Sequence, residues 1–279
     1  MAKSLSPLRY PGGKSKIYEK VKTLIENNAM GNRTYVEPFA GGFGIGLGLL
    51  CNNIVQSAVL NDVDSHIYHF WHSVFYSTDD LLRKIADTPI TIDERKKQMA
   101  VYKDSAADAL SDGFATLFLN RVNFSGVIKG GPIGGLAQSG TYKLDCRFNK
   151  KEIIKKVECI ALLKNRISLY NRDASDLIIN CLEFQNNTTF FNIDPPYVAK
   201  GSRLYTNYFK ESDHRNLEQV ITENLRGMPW IITYDDCELI RDIYKQYPMT
   251  GYNIQHSARV SIQGKELVIS NIPEDSFVW

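Results

Sequence analysis

The sequence predicts an open α/β fold interrupted by an inserted, mainly helical subdomain, and three observations carry that prediction. First, short apolar runs at residues 34–39, 58–63, 189–193 and 230–234 end in polar or acidic residues, as parallel strands do at their carboxyl ends. Second, helical patterns lie between and after these runs; at residues 213–225, Leu217, Val220, Ile221 and Leu225 share one face. Alternation of this kind places ligands at the strand ends. Third, the rhythm breaks between residues 80 and 165, where polar helical patterns and a glycine-rich stretch replace it.

The elements follow in order. The run at 34–39 leads into a glycine cluster, and the run at 58–63 carries Asn61-Asp62. Within the insertion, Thr91 and Glu94 have capping-box spacing and open a polar helix expected to reach Leu110. Residues 115–120 read as a more buried helix, residues 126–141 as a long flexible loop with six glycines, and residues 149–165 as a basic amphipathic helix. After the runs at 189–193 and 230–234, residues 254–260 and 266–269 flank Gln263-Gly264 and read as a β-hairpin.

Composition limits the function classes. The chain has 279 residues, 43% of them hydrophobic, which excludes a wholly disordered chain. Its five cysteines are odd in number and never spaced C-x-x-C, which argues against a disulfide framework or a zinc cluster and for a reducing compartment. The glycine-rich apolar run at 39–51 is short of the ~20 residues of a membrane span. Residues 1–9 lack the apolar stretch of a signal peptide, so a soluble, cytoplasmic protein without membrane partners is expected. Net charge is only +2, yet residues 143–172 hold nine basic residues against three acidic ones. Such a strip suits either phosphate neutralisation or a solvated helix face.

Two motifs carry chemistry. Glu37-Pro38-Phe39-Ala40-Gly41-Gly42-Phe43-Gly44 ends the first strand, where glycines let backbone approach a ligand closely. Asp62, about 20 residues further on, can accept hydrogen bonds from both hydroxyls of a ribose. Together they suggest an adenosine-containing ligand, or else a merely tight strand–helix turn. The second motif, Asp194-Pro195-Pro196-Tyr197, follows an apolar strand. Its prolines stiffen the backbone and leave carbonyls free as acceptors. The Asp194 carboxylate and Pro195 carbonyl could then hold the two hydrogens of an exocyclic amine and free its lone pair, while Tyr197 offers a flat face for an extruded base. Gly12-Gly13-Lys14 lacks the frame of a phosphate-binding loop.

Arg-Tyr-Pro-Gly-Gly-Lys at residues 9–14, the Glu37 motif, Leu-Asn-Asp-Val-Asp at 60–64, Leu-Asn-Arg-Val-Asn-Phe-Ser-Gly at 119–126 and the Asp194 motif occur in this order. The set resembles the Dam-type DNA adenine methyltransferases over nearly the whole chain. The resemblance implies a Rossmann-like S-adenosylmethionine-dependent methyltransferase domain (residues 1–79 and 166–279) with a target-recognition insertion (residues 80–165). It implies S-adenosylmethionine as methyl donor, double-stranded DNA as partner, and a monomer; a cognate restriction endonuclease is compatible with it but is a genomic matter. No metal is implied.

Position by position, the resemblance gives Tyr10, Lys14, Glu37, Phe39, Gly41, Asp62, Asp173 and Asp194 to the cofactor pocket and Asp194 to Tyr197 to catalysis. Lys14, Arg121, Asn123, Phe124, Lys129 and Tyr208 fall to DNA. Tyr10 stands where members often have tryptophan, and Phe43 where a smaller residue is common. Tyr205 and Tyr208 either line the DNA or base pocket or pack the following helix. His66, His69 and His72 have no carboxylate or cysteine at matching spacing for a metal site, and read instead as a helix packed beneath the cofactor strand. Cys51 and Cys181 read as core. Cytosine N4, an RNA adenine or a protein amide could present a similar amino group. A catalytically silent DNA-binding regulator and a nicotinamide-dependent oxidoreductase are the rivals from other classes. The first would have no reason to keep both motifs, and the second lacks a hydride-transfer acid–base group.

Overall fold

The apolar runs form strands because each is buried on both faces between helical layers, where an uninterrupted hydrophobic stretch is stable and an alternating one is not. The computed structural model describes residues 5–9, 17–180, 188–198, 209–258, 260–277 and 279, with backbone alone for 253–258 and 260–264. Its strands are β1 (Thr34–Glu37), β2 (Ser57–Asn61), β3 (Ile167–Tyr170), β4 (Thr189–Ile193), β5 (Trp230–Asp235), β6 (Met249–Ala258) and β7 (Val260–Ser270). They form one sheet in the order β3-β2-β1-β4-β5-β7-β6. β1 runs parallel to β2 and β4, and β4 to β5, while β7 is antiparallel to both β5 and β6. Every residue of β4 and β5 is buried. The α/β class expected from the sequence is therefore the class observed.

The hairpin is displaced from its expected turn. Gln263 and Gly264 lie inside β7, opposite Gln255 and Ile254, and pairing continues to Ala258 and Val260. Pairing runs on through Gly264, since a glycine within a strand weakens pairing without ending it.

Among the described residues the helices are α1 (Tyr18–Asn27), α2 (Gly44–Cys51), α3 (Ser65–Tyr76), α4 (Thr78–Asp87), α5 (Ile92–Lys103), α6 (Ala109–Val122), α7 (Lys150–Ala161), α8 (Ala174–Asn180), α9 (Glu211–Asn224) and α10 (Glu238–Ile243). The chain divides into two compact units, residues 1–13 with 64–171 and residues 14–63 with 172–279. The helical unit is thus longer than the expected insertion at 80–165, taking in residues 1–13, 64–79 and 166–171. The reason is α3. It packs on α6, with Phe70, Trp71 and Val74 fully buried. The Nδ1 atoms of His66 and His69 each lie 2.7 Å from a different oxygen of the buried Asp112. The histidines expected beneath the cofactor strand therefore belong to the helical unit.

Local signals set the helix ends. Thr91 caps α5 by accepting from the Glu94 N–H at 3.1 Å. The helix stops at Lys103, short of Leu110, because Asp108 starts α6 by accepting from the Ser111 N–H at 2.9 Å. Asn149 caps α7, which buries Ile153, Val157 and Ile160. Cys51 is exposed at the last position of α2 rather than in the core.

Gly113 is where α6 meets α3. A Cβ there would lie 2.5 Å from the His69 carbonyl oxygen and 2.7 Å from the Ser73 Oγ. Backbone cannot yield as a flexible side chain can, so Gly113→Ala is expected to destabilise the protein by about 1–3 kcal/mol despite alanine's higher helix propensity. Urea denaturation of the two proteins measures this; equal midpoints would contradict the packing.

Candidate active site

The second unit gathers polar side chains at the carboxyl ends of its parallel strands, and nearly all of them are tied. Glu37, the last residue of β1, is buried and accepts from the Tyr35 hydroxyl at 2.8 Å and from the Gly46 N–H at 3.1 Å. Asn192 of β4 donates to the Tyr35 hydroxyl at 2.6 Å. This network fixes the turn from β1 into α2. Phe43 adopts a left-handed conformation (φ 48°) as the residue before α2. Its buried ring fills the space of a side chain at Gly46, where a Cβ would come within 2.3 Å of it. Gly46 is what admits the large residue at position 43.

At the end of β2, Asp62 accepts from the Gly41 N–H at 2.8 Å, and Gly41 has φ 47°. Asn61 is wholly buried and joins two loops. Its Nδ2 donates to the Pro38 carbonyl (2.8 Å) and the Arg172 carbonyl (3.0 Å), and its Oδ1 accepts from the Arg172 N–H (3.0 Å). Through this pair of bonds Asp173, which caps α8 by accepting from the Ser175 N–H at 2.8 Å, is held near the glycine loop. Phe39 is half-buried, edge-on to Phe209 with ring centroids 5.8 Å apart.

The Asp194–Tyr197 segment leaves β4 and is held at both ends by β5. Thr233 Oγ1 donates to Asp194 Oδ1 at 2.9 Å, and the Val198 N–H donates to Asp235 Oδ1 at 3.0 Å. Tyr197 is 7% exposed. Burial, then the charges of Asp194 and Glu266, push its phenol well above the usual range. Tyr252 of β6 donates to Glu266 Oε2 at 2.6 Å.

The structure therefore brings Glu37, Phe39, Gly41, Asp62, Asp173 and Asp194 to Tyr197 to one edge of the sheet. Sequence reasoning missed Asn61, Thr233 and Asp235, although the strand-end runs containing them were visible, and it missed Glu266 and Tyr252, which had no local signal at all. Tyr10, Lys14 and Tyr208 lie outside the described residues, as does Cys181.

Four of the expected DNA contacts, Arg121, Asn123, Phe124 and Lys129, belong to the first unit. Phe124 is 48% exposed and Lys129 is exposed. Arg121 is half-buried, and its Nε has no hydrogen-bond partner. Burial, then Arg9, pushes its pKa down to about 10. Asn123 is wholly buried, accepts from Arg95 Nε at 2.7 Å and donates to the Ile128 carbonyl at 2.7 Å, and these bonds shape the loop. The loop at 126–141 is turn-built: Gln138 Nε2 donates to the Ile133 carbonyl at 2.8 Å, and its Oε1 accepts from the Leu144 N–H at 2.8 Å. Among the described residues, no group of three or more His, Cys, Asp or Glu side chains is placed to hold a metal ion, and no helix is long and apolar enough to cross a membrane.

Strand-end carboxylates, a glycine loop and a stiffened Asp-Pro-Pro-Tyr segment on an α/β sheet are the parts of a group-transfer enzyme of the methyltransferase class. Residues 10–260 match the family described as D12 class N6 adenine-specific DNA methyltransferase, and the chain belongs to that family. It is an enzyme of adenine-specific DNA methylation. No curated protein matches the chain. Among solved structures, similarity is found to an uncharacterised protein from Listeria monocytogenes serotype 4b (10% identity, 95% of this chain and 70% of the other, TM-score 0.42). It is also found to the rRNA methyltransferase aviRa from Streptomyces viridochromogenes (9% identity, 94% and 86%, TM-score 0.41).

Burial pushes Glu37 up to about 8, against the smaller opposing effect of its hydrogen bonds to Tyr35 and Gly46. A carboxyl whose folded pKa lies above its unfolded value binds its proton more tightly when folded. Its contribution to stability is complete below the unfolded value of 4.5 and is lost as pH rises toward 8. Unfolding free energy should therefore fall as pH rises from about 4.5 to about 8. Glu37→Gln should flatten the fall, as denaturant titration at each pH would report. An unchanged slope in the variant would assign the pH dependence to another group.

Proposed function

We propose that this chain methylates the N6 amine of an adenine turned out of duplex DNA at a short sequence motif, using S-adenosylmethionine. The observation that carries the reading is the Asp194–Tyr197 segment, clamped by Thr233 and Asp235 of β5 and adjoining the Asp62-held glycine loop. The residues present fit the donor. Asp62 stands at the strand end where a ribose diol is bound, Gly41 presents backbone without a side chain, Phe39 adds an apolar surface, and Asp173 lies close by on the Asn61 staple. Glu37 acts beneath this pocket by fixing its loop. Tyr10 and Lys14 would complete it, by the family resemblance.

S-adenosylmethionine, when bound, supplies a methyl group on a positively charged sulfur. The chain's own work is to orient and polarise. The Asp194 carboxylate and the Pro195 carbonyl accept the two N–H groups of the adenine amine, and this draws its nitrogen lone pair out of conjugation. Pro195 and Pro196 keep that acceptor pair in place, since neither can donate and both restrict the backbone. Tyr197 stacks on the base. The amine would become cationic as its bond to the methyl carbon forms and the carbon–sulfur bond breaks, the sulfur leaving as a neutral thioether, and Asp194 stabilises the charge on the amine. The proton leaves only afterwards, so Asp194 need not be a strong base.

Phe124, Lys129 and Arg121 are the proposed DNA contacts of the first unit, with Asn123 supporting the loop and Tyr208 a further contact by resemblance. One site suffices for one transfer, so a monomer is proposed.

Expression in a bacterial host without DNA methylation, followed by sequencing of its native DNA for modified bases, tests the reading. N6-methyladenine at one short motif is expected. Modified cytosine would overturn the choice of base, and no modification would overturn duplex DNA as the substrate. Asp194→Ala is expected to lower kcat by more than about 10²-fold, with DNA affinity largely kept; full activity in that variant would sink the assigned role.

A further inference from the structure

We propose that His214 is a positioning residue for the donor pocket: anchored on Tyr234, its ring holds Phe209 against Phe39, and the two phenylalanines form one apolar wall for the purine of S-adenosylmethionine. The inference deepens the reading above and rests on it. His214 and Phe209 lie outside every motif that identified the enzyme. They join the glycine loop to β5 through side chains from separate stretches of the chain.

The contacts form an unbroken series within the second unit. Phe39, in the loop after β1, lies edge-on to Phe209 with ring centroids 5.8 Å apart. The Phe209 ring lies 5.3 Å from that of His214 and is tilted to it by 60°. The His214 ring in turn lies 5.3 Å from that of Tyr234, and its Nδ1 is 2.9 Å from the Tyr234 hydroxyl. Tyr234 stands on β5 between Thr233 and Asp235, the residues that hold the Asp194–Tyr197 segment. Helix α9, which carries His214, also packs on α8, whose first turn Asp173 caps. Phe209 thus links the glycine loop to α9 on the side of the sheet where Asp173 lies.

Burial divides the work among these rings. Phe39 and Phe209 are half-buried and keep surface that a ligand can cover, whereas His214 is 1% exposed and Tyr234 wholly buried. His214 Nε2 is buried without a hydrogen-bond partner, so a charged ring would leave a buried N–H donor unpaired. Burial accordingly lowers its pKa, against the smaller effects of Asp235 and Asp213. The neutral ring faces Phe209 as an aromatic surface, and its bond to Tyr234 sets the rotation of that surface, which an aliphatic side chain of equal volume could not do. An aromatic contact of this kind is worth about three- to tenfold in an affinity. In this proposal His214 touches neither base nor donor and acts through Phe209.

The test reads donor binding apart from turnover. The full chain is titrated calorimetrically with S-adenosylhomocysteine, which shares the donor's purine, and KM and kcat are measured with S-adenosylmethionine and duplex DNA of the motif found above. Phe209→Leu keeps an apolar side chain, His214→Phe keeps a ring without its anchor, and Tyr234→Phe removes only the anchoring hydroxyl. Each is expected to weaken S-adenosylhomocysteine binding and raise KM for S-adenosylmethionine by about three- to tenfold. Each should leave kcat at saturating donor and KM for DNA within about twofold of wild type. Phe209→Leu combined with Tyr234→Phe should lose little beyond the larger single effect, because both act on one wall. Wild-type donor affinity in Phe209→Leu would overturn the wall, and wild-type affinity in Tyr234→Phe or His214→Phe would overturn the role given to His214. Full additivity of the pair, or a loss of kcat with affinity kept, would overturn it as well. Should His214→Phe fail to fold, Tyr234→Phe reads the same anchor. If the wild-type chain binds neither S-adenosylmethionine nor S-adenosylhomocysteine, the reading on which the wall rests fails first.

Discussion

The site depends on one constraint: the parallel strands end in polar side chains that the sheet buries, and each buried polar group must find a partner inside the protein. Leaving such a group unsatisfied costs about 1–3 kcal/mol. Asn61 is fully buried and meets the requirement by bonding Pro38 on one loop and Arg172 on another. Glu37 meets it through Tyr35 and the start of α2, and Asp235 through the backbone after Tyr197. Among the described residues, the loops after β1, β2 and β4 are thus each pinned by a buried polar residue. The proposed chemistry needs alignment more than a strong base, and pinned loops are what alignment requires.

The same burial sorts the carboxyl groups by charge. Glu37 is held up to about 8 by desolvation, so at neutral pH it is mostly protonated and adds little negative charge next to Asp194. Asp194, the carboxyl proposed to steady a developing cation, is only half-buried and accepts from Thr233. Burial thus keeps the structural acid neutral and leaves the acid of the proposed chemistry accessible.

Much of this was legible in the sequence, and the limits are instructive. Strands β1, β2, β4 and β5 were visible because burial on both faces leaves a continuous apolar run, and the acids at their ends marked the ligand edge. Thr91, Asp108 and Asn149 illustrate the grades of helix signal. A cap followed by Glu three residues later was readable at Thr91, whereas Asp108, with no such partner, was missed and α5 was extended through it. The hairpin turn was misplaced because Gln263-Gly264 has turn composition, while register is decided by pairing along the whole ladder. Domain limits were read from composition, yet α3 joins the helical unit through Asp112, a partner more than forty residues away. Glu266 and Tyr252 are the clearest case. Neither has a motif, and Glu266 faces both Asp235 and Tyr252 only because β7 lies between β5 and β6.

The first unit shows the converse: a residue type matched to DNA by resemblance can serve the loop as well. Asn123 spends its acceptor on Arg95 and a donor on Ile128, which leaves Phe124 exposed on a supported turn. Arg9 reinforces it, donating from its guanidinium to the Asn123 carbonyl at 3.1 Å while Asn120 accepts from its N–H at 2.7 Å. Gly126 is required there, since a Cβ would lie 2.3 Å from the Arg9 carbonyl oxygen. The cost of this arrangement is like charge. Burial, then Arg9 and Arg147, depress the pKa of Arg121 against the opposing charge of Glu152, and the Arg121 Nε is buried without a partner. A group in that condition gains most from an anion beside it, and a DNA phosphate supplies one without reading sequence. On the proposed function the supported loop and the crowded arginine therefore divide the labour, the loop presenting shape to the duplex and the arginine supplying attraction.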